Sequence, residues 1–177
     1  MTVSIEPVSG LPPRIGLYFA QMEDVRRVTK KYISGLSPEQ LSWYPNDRVE
    51  SVGTLLLHIA AVELSWIGED IMRRRMPEEW VFAFPIRFNI PQVSGQPLSF
   101  FIEKLDTVRE ETRRTLATLT DADLGRAVTP LDDAESPGAE QYTIEWILYH
   151  LVEHEAHHRG QIAQMKRLFP ESAAPHT

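Results

Sequence analysis

The 177-residue chain contains no cysteine. That excludes disulfides, thiolate zinc sites, iron–sulfur clusters and a cysteine nucleophile, and leaves any metal to be held by His, Asp or Glu. Cationic charge is scarce as well, with 18 Lys and Arg against 25 Asp and Glu for a net charge of −7. Such a chain is repelled by a phosphate backbone, so no nucleic-acid partner is expected. No stretch approaches the roughly 20 apolar residues of a membrane span. The segment Met1 to Pro13 lacks the basic start and apolar run of a secretory signal. A cytoplasmic protein with no membrane partner is therefore expected. Internal repeats and low-complexity tracts are absent too. What remains, 42% apolar and 24% charged, suits an ordinary folded chain. Its length predicts a single domain over 1–177, with a tail fraying from about residue 170.

The apolar periodicity is helical. From Pro12 to about Ile33, Ile15, Tyr18, Met22, Val25 and Tyr32 recur mostly three or four apart, with Glu23, Asp24, Arg26, Arg27, Lys30 and Lys31 on the intervening face. Gly35 ends this first helix, and Ser37-Pro38-Glu39-Gln40 has the capping pattern of a short new one. A second long helix is predicted from Ser51 to about Arg75, with Val52, Leu55, Ile59, Val62 and Trp66 on one stripe and His58 within its width. Pro77 to Pro97 carries four prolines among aromatics and reads as an extended crossover; within it, Trp80 to Ile90 could pair as a hairpin or simply pack, and its prolines favour packing. A third helix follows from Leu98 to Leu119, its charged faces, Arg109 included, being most simply solvated. Thr120 to Asp123 suits a short turn, Asp132 to Gln141 a loop, and Thr143 to about Phe169 a fourth long helix. With no convincing strand pattern, the fold class is all-α: a four-helix bundle with a long crossover connection between helices 2 and 3.

Five of the six histidines lie in helices 2 and 4. The stripe of helix 4, Ile147, Leu151, His154, His158, Ile162, Met165 and Phe169, puts two imidazoles where a bundle core wants apolar groups. A ring nitrogen desolvated without a partner costs on the order of 1–3 kcal/mol. Residues at i and i+4 can both reach one ion, so His154 and His158 are candidate metal ligands. His150 is two turns, about 12 Å of rise, from His158 and cannot easily share its ion. His58, on the core-facing stripe of helix 2, is the natural third ligand. A carbonyl hydrogen bond is the ordinary alternative for any single core histidine. His150 and His157 are rotated off the stripe and read as supporting, surface or interface residues; His176 in the tail is uninformative. His154-Glu155-Ala156-His157-His158 also spells H-E-x-x-H, the signature of zinc proteases. The context is wrong for it, because Gln161 stands where the extended motif needs glycine and the chain ends too soon for a downstream acidic ligand.

Two segments, Ser51-Val52-Gly53-Thr54-Leu55-Leu56-Leu57-His58-Ile59-Ala60 and His154-Glu155-Ala156-His157-His158-Arg159-Gly160-Gln161-Ile162, resemble the DinB-like metal-dependent superfamily, which includes bacillithiol transferases and mycothiol-dependent maleylpyruvate isomerases. The resemblance implies a four-helix bundle, frequent dimerisation, and a divalent ion such as zinc or nickel on His58, His154 and His158. Gly160 would then permit close helix approach. Trp80, Phe82 and Phe84, whose rings need cover from the same chain or a partner, are compatible with a homodimer.

Three histidines leave at least one position of a divalent ion open, as in catalytic rather than closed structural sites. In the family this position is associated with a low-molecular-weight thiol co-substrate. The expected function is thus a metal-dependent thiol S-transferase or isomerase acting on a small electrophile. A metal-dependent hydrolase is the second enzymatic reading, with Glu63, Glu153 or Glu155 as proton carriers. No catalytic acid or base is assigned among them, since Glu155 can be carried outward by its helix and Glu63 falls one position off the Val62 stripe. A non-enzymatic, stress-related bundle with a structural ion is the reading from another class.

Overall fold

The computed structural model describes residue 2 and residues 4–46, 49–81 and 93–170. Four long helices dominate it: α1 (Pro13–Ile33), α3 (Val52–Leu64), α5 (Leu98–Leu116) and α6 (Ile144–Leu168), with short α2 (Pro38–Ser42) and α4 (Glu78–Val81) in the connections. They form a ring in which α1 packs on α6, α6 on α3, α3 on α5 and α5 back on α1. The caps are local. Ser37 and Gln40 close a reciprocal capping box ahead of α2, and Ser51 and Thr143 each accept the N–H of the third residue of α3 and α6. Gly53 is a point of close approach: a Cβ there would lie 2.7 Å from Phe101 Cζ, so its missing side chain lets α5 sit against α3.

Several elements depart from expectation. The helix predicted to run to about Arg75 leaves α geometry at Leu64 and continues as a π-helical segment, Ser65–Ile71. It closes with Arg73 at φ 55° and an Arg74 N–H bond to the Gly68 carbonyl at 2.8 Å, one residue wider than the usual α C-cap. Val52–Ile71 is long and apolar enough, by length and composition, to cross a membrane, contrary to expectation; 78% of its most apolar window is buried inside the bundle, as in a central core helix. The third long helix ends at Leu116 rather than Leu119, followed by a 3-10 turn at Asp121–Gly125. A two-residue antiparallel bridge pairs β1 (Ala127–Val128) with β2 (Tyr142–Thr143), Ala127 opposite Thr143. Strands this short carry no alternation to detect. The crossover contains helix α4, and Trp80 is buried in the core by its own chain, so it gives no support to a dimer. Of the Trp80 to Ile90 segment, residues from Phe82 onward lie outside the described residues, as does His176.

The core has two apolar clusters, one around Leu56, Phe101 and Ile162 and the other around Ile15, Leu116 and Ile144. Between them lies an ionic layer to which each long helix contributes one residue: Arg26 from α1, Glu63 from α3, Arg109 from α5 and Glu155 from α6. Arg26 binds Glu155 at 2.9 Å and Glu63 at 2.9 Å; Arg109 binds Glu63 at 2.8 Å and Glu155 at 3.3 Å. The guanidiniums also donate to the Leu105 and Met22 carbonyls, and Arg109 reaches Glu23 at the rim. This corrects the reading of Arg109 as solvated: it is 6% exposed, Arg26 from the charged face of the first helix is 3% exposed, and Glu155, whose direction the sequence left open, points inward at 2%. Burial alone would raise the Glu63 pKa, but Arg109 and Arg26 outweigh it and hold the carboxyl down at about 2.

Candidate metal centre

His58 sits midway along α3, whose start is fixed by the Ser51 cap, and His154 and His158 sit one turn apart on α6, started by the Thr143 cap. The α3–α6 contact turns all three inward to one point. His154 Nε2 lies 3.2 Å from His58 Nε2 and 3.1 Å from His158 Nε2, and the ligand atoms of the three residues fall within 4.8 Å of one another. Among the described residues no carboxylate or fourth imidazole joins this group. His58 and His158 are buried, while His154 is half-buried, so the triad reaches the protein surface.

The donor set fits a divalent cation. Four nitrogens at zinc–imidazole distances of about 2.0–2.1 Å are spaced about 3.3 Å apart in a tetrahedron, close to the two short separations seen. Hydrogen bonding alone suits the triangle poorly, because one N–H on His154 Nε2 can serve only one of its two neighbours. His158 is already oriented: its Nδ1 is 2.6 Å from Gln161 Oε1, which assigns Nδ1–H as donor and leaves Nε2 as a bare lone pair facing the centre. Replacing Gln161 with leucine is therefore expected to weaken divalent-metal binding about 10–100-fold, measured by competition with a chromophoric chelator. Unchanged affinity would show that the His158 ring is held by packing alone.

Burial, then the neighbouring imidazoles, push the His154 pKa down to about 2; burial pushes His158 down to about 4 against the opposing Gln161 hydrogen bond. Both rings are neutral at pH 7, the form that ligates metal. The sign for stability follows. Both folded-state pKa values lie below the unfolded value of about 6.5, so on acidification the unfolded chain takes up protons first. The stability of the metal-free protein is expected to fall as pH drops below about 6.5, continuing towards pH 4 and below. Urea midpoints that stay level between pH 7 and 4.5 would contradict this.

The remaining candidates take other roles. Glu63 and Glu155 are committed to the ionic layer, and Glu153 is exposed, 3.6 Å from His150 Nδ1, so none of the three is offered to the centre as a free carboxylate. His157 is exposed, with Nε2 3.4 Å from the Gln161 amide nitrogen. Gly160 has no atom within 4 Å of a built Cβ, so the close approach expected there occurs at Gly53 instead. Sequence reasoning overlooked an aromatic group beside the triad. Trp146 and His150 stack along α6 at a centroid distance of 4.8 Å, Tyr142 of β2 lies tilted against Trp146 at 4.4 Å, and Trp66 from the π segment meets all three edge-on at 5.4–5.9 Å. The signal was present: rings recur every four residues at 142, 146, 150, 154 and 158. The group fixes His150, whose ring is 5.8 Å from His154, and ties the π segment to α6.

Comparison with known proteins agrees with this architecture. The model of the DinB superfamily matches residues 21–162. The uncharacterized protein YkkA of Bacillus subtilis is 22% identical over 170 residues, 93% of each chain. Among solved structures, a DinB-like protein from Bacillus cereus superposes with a TM-score of 0.61 at 18% identity, covering 85% of this chain and 89% of its own. A conserved protein from Enterococcus faecalis gives 0.59 at 14%, covering 86% and 94%.

Proposed function

Since the chain belongs to the DinB superfamily, we propose that His58, His154 and His158 hold a divalent ion, zinc or nickel, and that the protein is a thiol S-transferase or related isomerase acting on a small electrophile. The observation that carries this reading is the convergence of three imidazole nitrogens at a point that reaches the surface, with no fourth ligand among the described residues. A bound divalent ion would supply Lewis acidity at its open position, lowering the pKa of a thiol there so that the thiolate is available at neutral pH.

The chain's own residues define the rest. Gln161 sets the tautomer of His158, and the ionic layer holds α3 and α6 in the register that brings the imidazoles together. Hydrolysis is less well supported, because Glu63 and Glu155 are held by guanidiniums. The same proposal has the protein in the cytoplasm as a homodimer, with a small-molecule substrate and neither nucleic acid nor membrane as partner. The net charge of −7 supports the exclusion of nucleic acid. The test is thiol consumption by zinc- or nickel-loaded protein across a panel of thiols and electrophiles. Consumption above the uncatalysed rate that disappears in His158→Ala is expected. A loaded protein that consumes no thiol with any pair overturns the assignment.

A further inference from the structure

A recess of about 250 Å³ opens where α3 gives way to the π segment, between that turn and α5. Its walls are largely apolar: Leu64 and Ile67 on the helix, Met76 and Pro77 on the strap that follows. Gly68 leaves it unfilled, since a Cβ built there would meet only the Arg74 carbonyl at 3.8 Å and Leu64 at 3.9 Å. None of His58, His154 and His158 lines the recess. Leu64 is six residues, about 9 Å of helix, beyond His58.

The strap is tied in place at several points. After the reversal at Arg73, the Arg74 N–H bonds the Gly68 carbonyl and the Met76 N–H bonds Glu69 Oε1, each at 2.8 Å. The Arg74 guanidinium then spans to α5, donating to Glu111 at 3.0 Å and to Thr115 at 3.3 Å. Behind the recess Thr112 is buried, and its hydroxyl bonds Glu63 of the ionic layer. Protein interiors leave few voids larger than a water. An apolar recess whose walls are fixed by hydrogen bonds, with a few polar groups at its edge, has the form of a small-molecule site.

Size and charge narrow the occupant. The volume equals about eight waters at roughly 30 Å³ each, room for a ligand on the order of ten non-hydrogen atoms. Arg74, Arg75 and Glu111 are its charged groups. Arg74 and Glu111 answer each other, whereas Arg75 is exposed and makes no ion pair among the described residues. Glu78 and Glu79 lie beyond Pro77 on α4 and do not line it. One unmatched guanidinium at an apolar mouth favours a monoanion, and its planar fork matches a carboxylate through two parallel N–H bonds. A second negative charge would meet Glu111 or the apolar wall.

We propose that this recess is a ligand site separate from the metal centre, taking a small apolar monocarboxylate of about the size of benzoate. The ring lies against Leu64, Ile67 and Met76, and the carboxylate pairs with Arg75 at the mouth.

Titration calorimetry with benzoate, on metal-free and on zinc-loaded protein, tests the site apart from any carboxylate bound by the ion. One benzoate per chain is expected in both, with a Kd on the order of 1 mM or tighter. Benzamide, the neutral isostere, should bind about fivefold more weakly, the effect of a surface charge pair, and terephthalate more weakly than benzoate because its second carboxylate enters the apolar end. Arg75→Gln should bring benzoate to the affinity of benzamide. Gly68→Leu and Met76→Trp, which fill the recess from opposite walls, should abolish binding of both while helical circular dichroism is retained. No saturable binding to the metal-free protein, equal affinities for benzoate and benzamide, or binding that survives both filling variants overturns the assignment. The reading of the histidines stands or falls separately.

Discussion

Replacing Glu63 with alanine is expected to lower folding stability by about 3–5 kcal/mol, read from the urea midpoint of the metal-free protein. The carboxylate accepts from Arg109 at 2.8 Å and from Arg26 at 2.9 Å, and both arginines are buried. Its removal leaves two buried cations with one buried carboxylate, Glu155, and the half-exposed Glu23 at the rim of Arg109, with a cavity beside them. Domains of this size are typically stable by only about 5–15 kcal/mol, so the variant should lose a large share of its stability. The cause is the unpaired charge rather than any large intrinsic strength of the pairs. Exchanging all four residues, Arg26, Glu63, Arg109 and Glu155, for leucine should therefore cost far less than Glu63→Ala alone. If the quadruple variant is the less stable of the two, the layer contributes net binding energy and this account is wrong.

The second large effect is on metal content. Purified protein reconstituted with zinc or nickel and dialysed exhaustively is expected to retain about one divalent ion per chain, and the His58→Ala and His158→Ala variants none, by elemental analysis. Loss of an outer-shell partner costs about 10–100-fold in affinity, and loss of one of three direct ligands should exceed that. His157→Ala should keep its metal, since His157 is exposed and lies outside the triad. The helical circular dichroism should survive chelation, because two apolar clusters and the ionic layer hold the bundle without the ion. Wild-type protein that takes up no metal, or ligand variants that retain it, would return the histidines to the status of core hydrogen-bonding groups.

The triad was readable because it combines two periodic signals, i and i+4 spacing on α6 and the apolar stripe of α3, with the absence of cysteine narrowing the donors. The four long helices were readable for the same reason, and the Ser37 capping pattern marked the short α2 between the first two. The ionic layer was misread, although its register is plain in hindsight. Ile15, Phe19, Met22, Arg26, Thr29 and Ile33 alternate steps of three and four, as do Leu148, Leu151, Glu155, His158, Ile162 and Met165. A charged residue at such a position is ordinarily evidence against burial. Only the simultaneous presence of two Arg and two Glu at core phase on four helices reverses that, and one helix read at a time cannot show it. The π segment has no composition of its own, since Ser65–Ile71 differs from α-helix in hydrogen-bond span rather than in residue type. The β1–β2 bridge is too short for any alternation to register.

The ionic layer also constrains how this sequence can change over generations. From Arg26, Glu63, Arg109 and Glu155, a single charge-removing substitution leaves an imbalance inside the bundle. An apolar core could serve as well, yet it lies several substitutions away, with unstable proteins in between. The four codons are thus interlocked: a lineage carrying this quartet keeps it because each one-step exit crosses a valley, whether or not the charges serve the chemistry at the histidines.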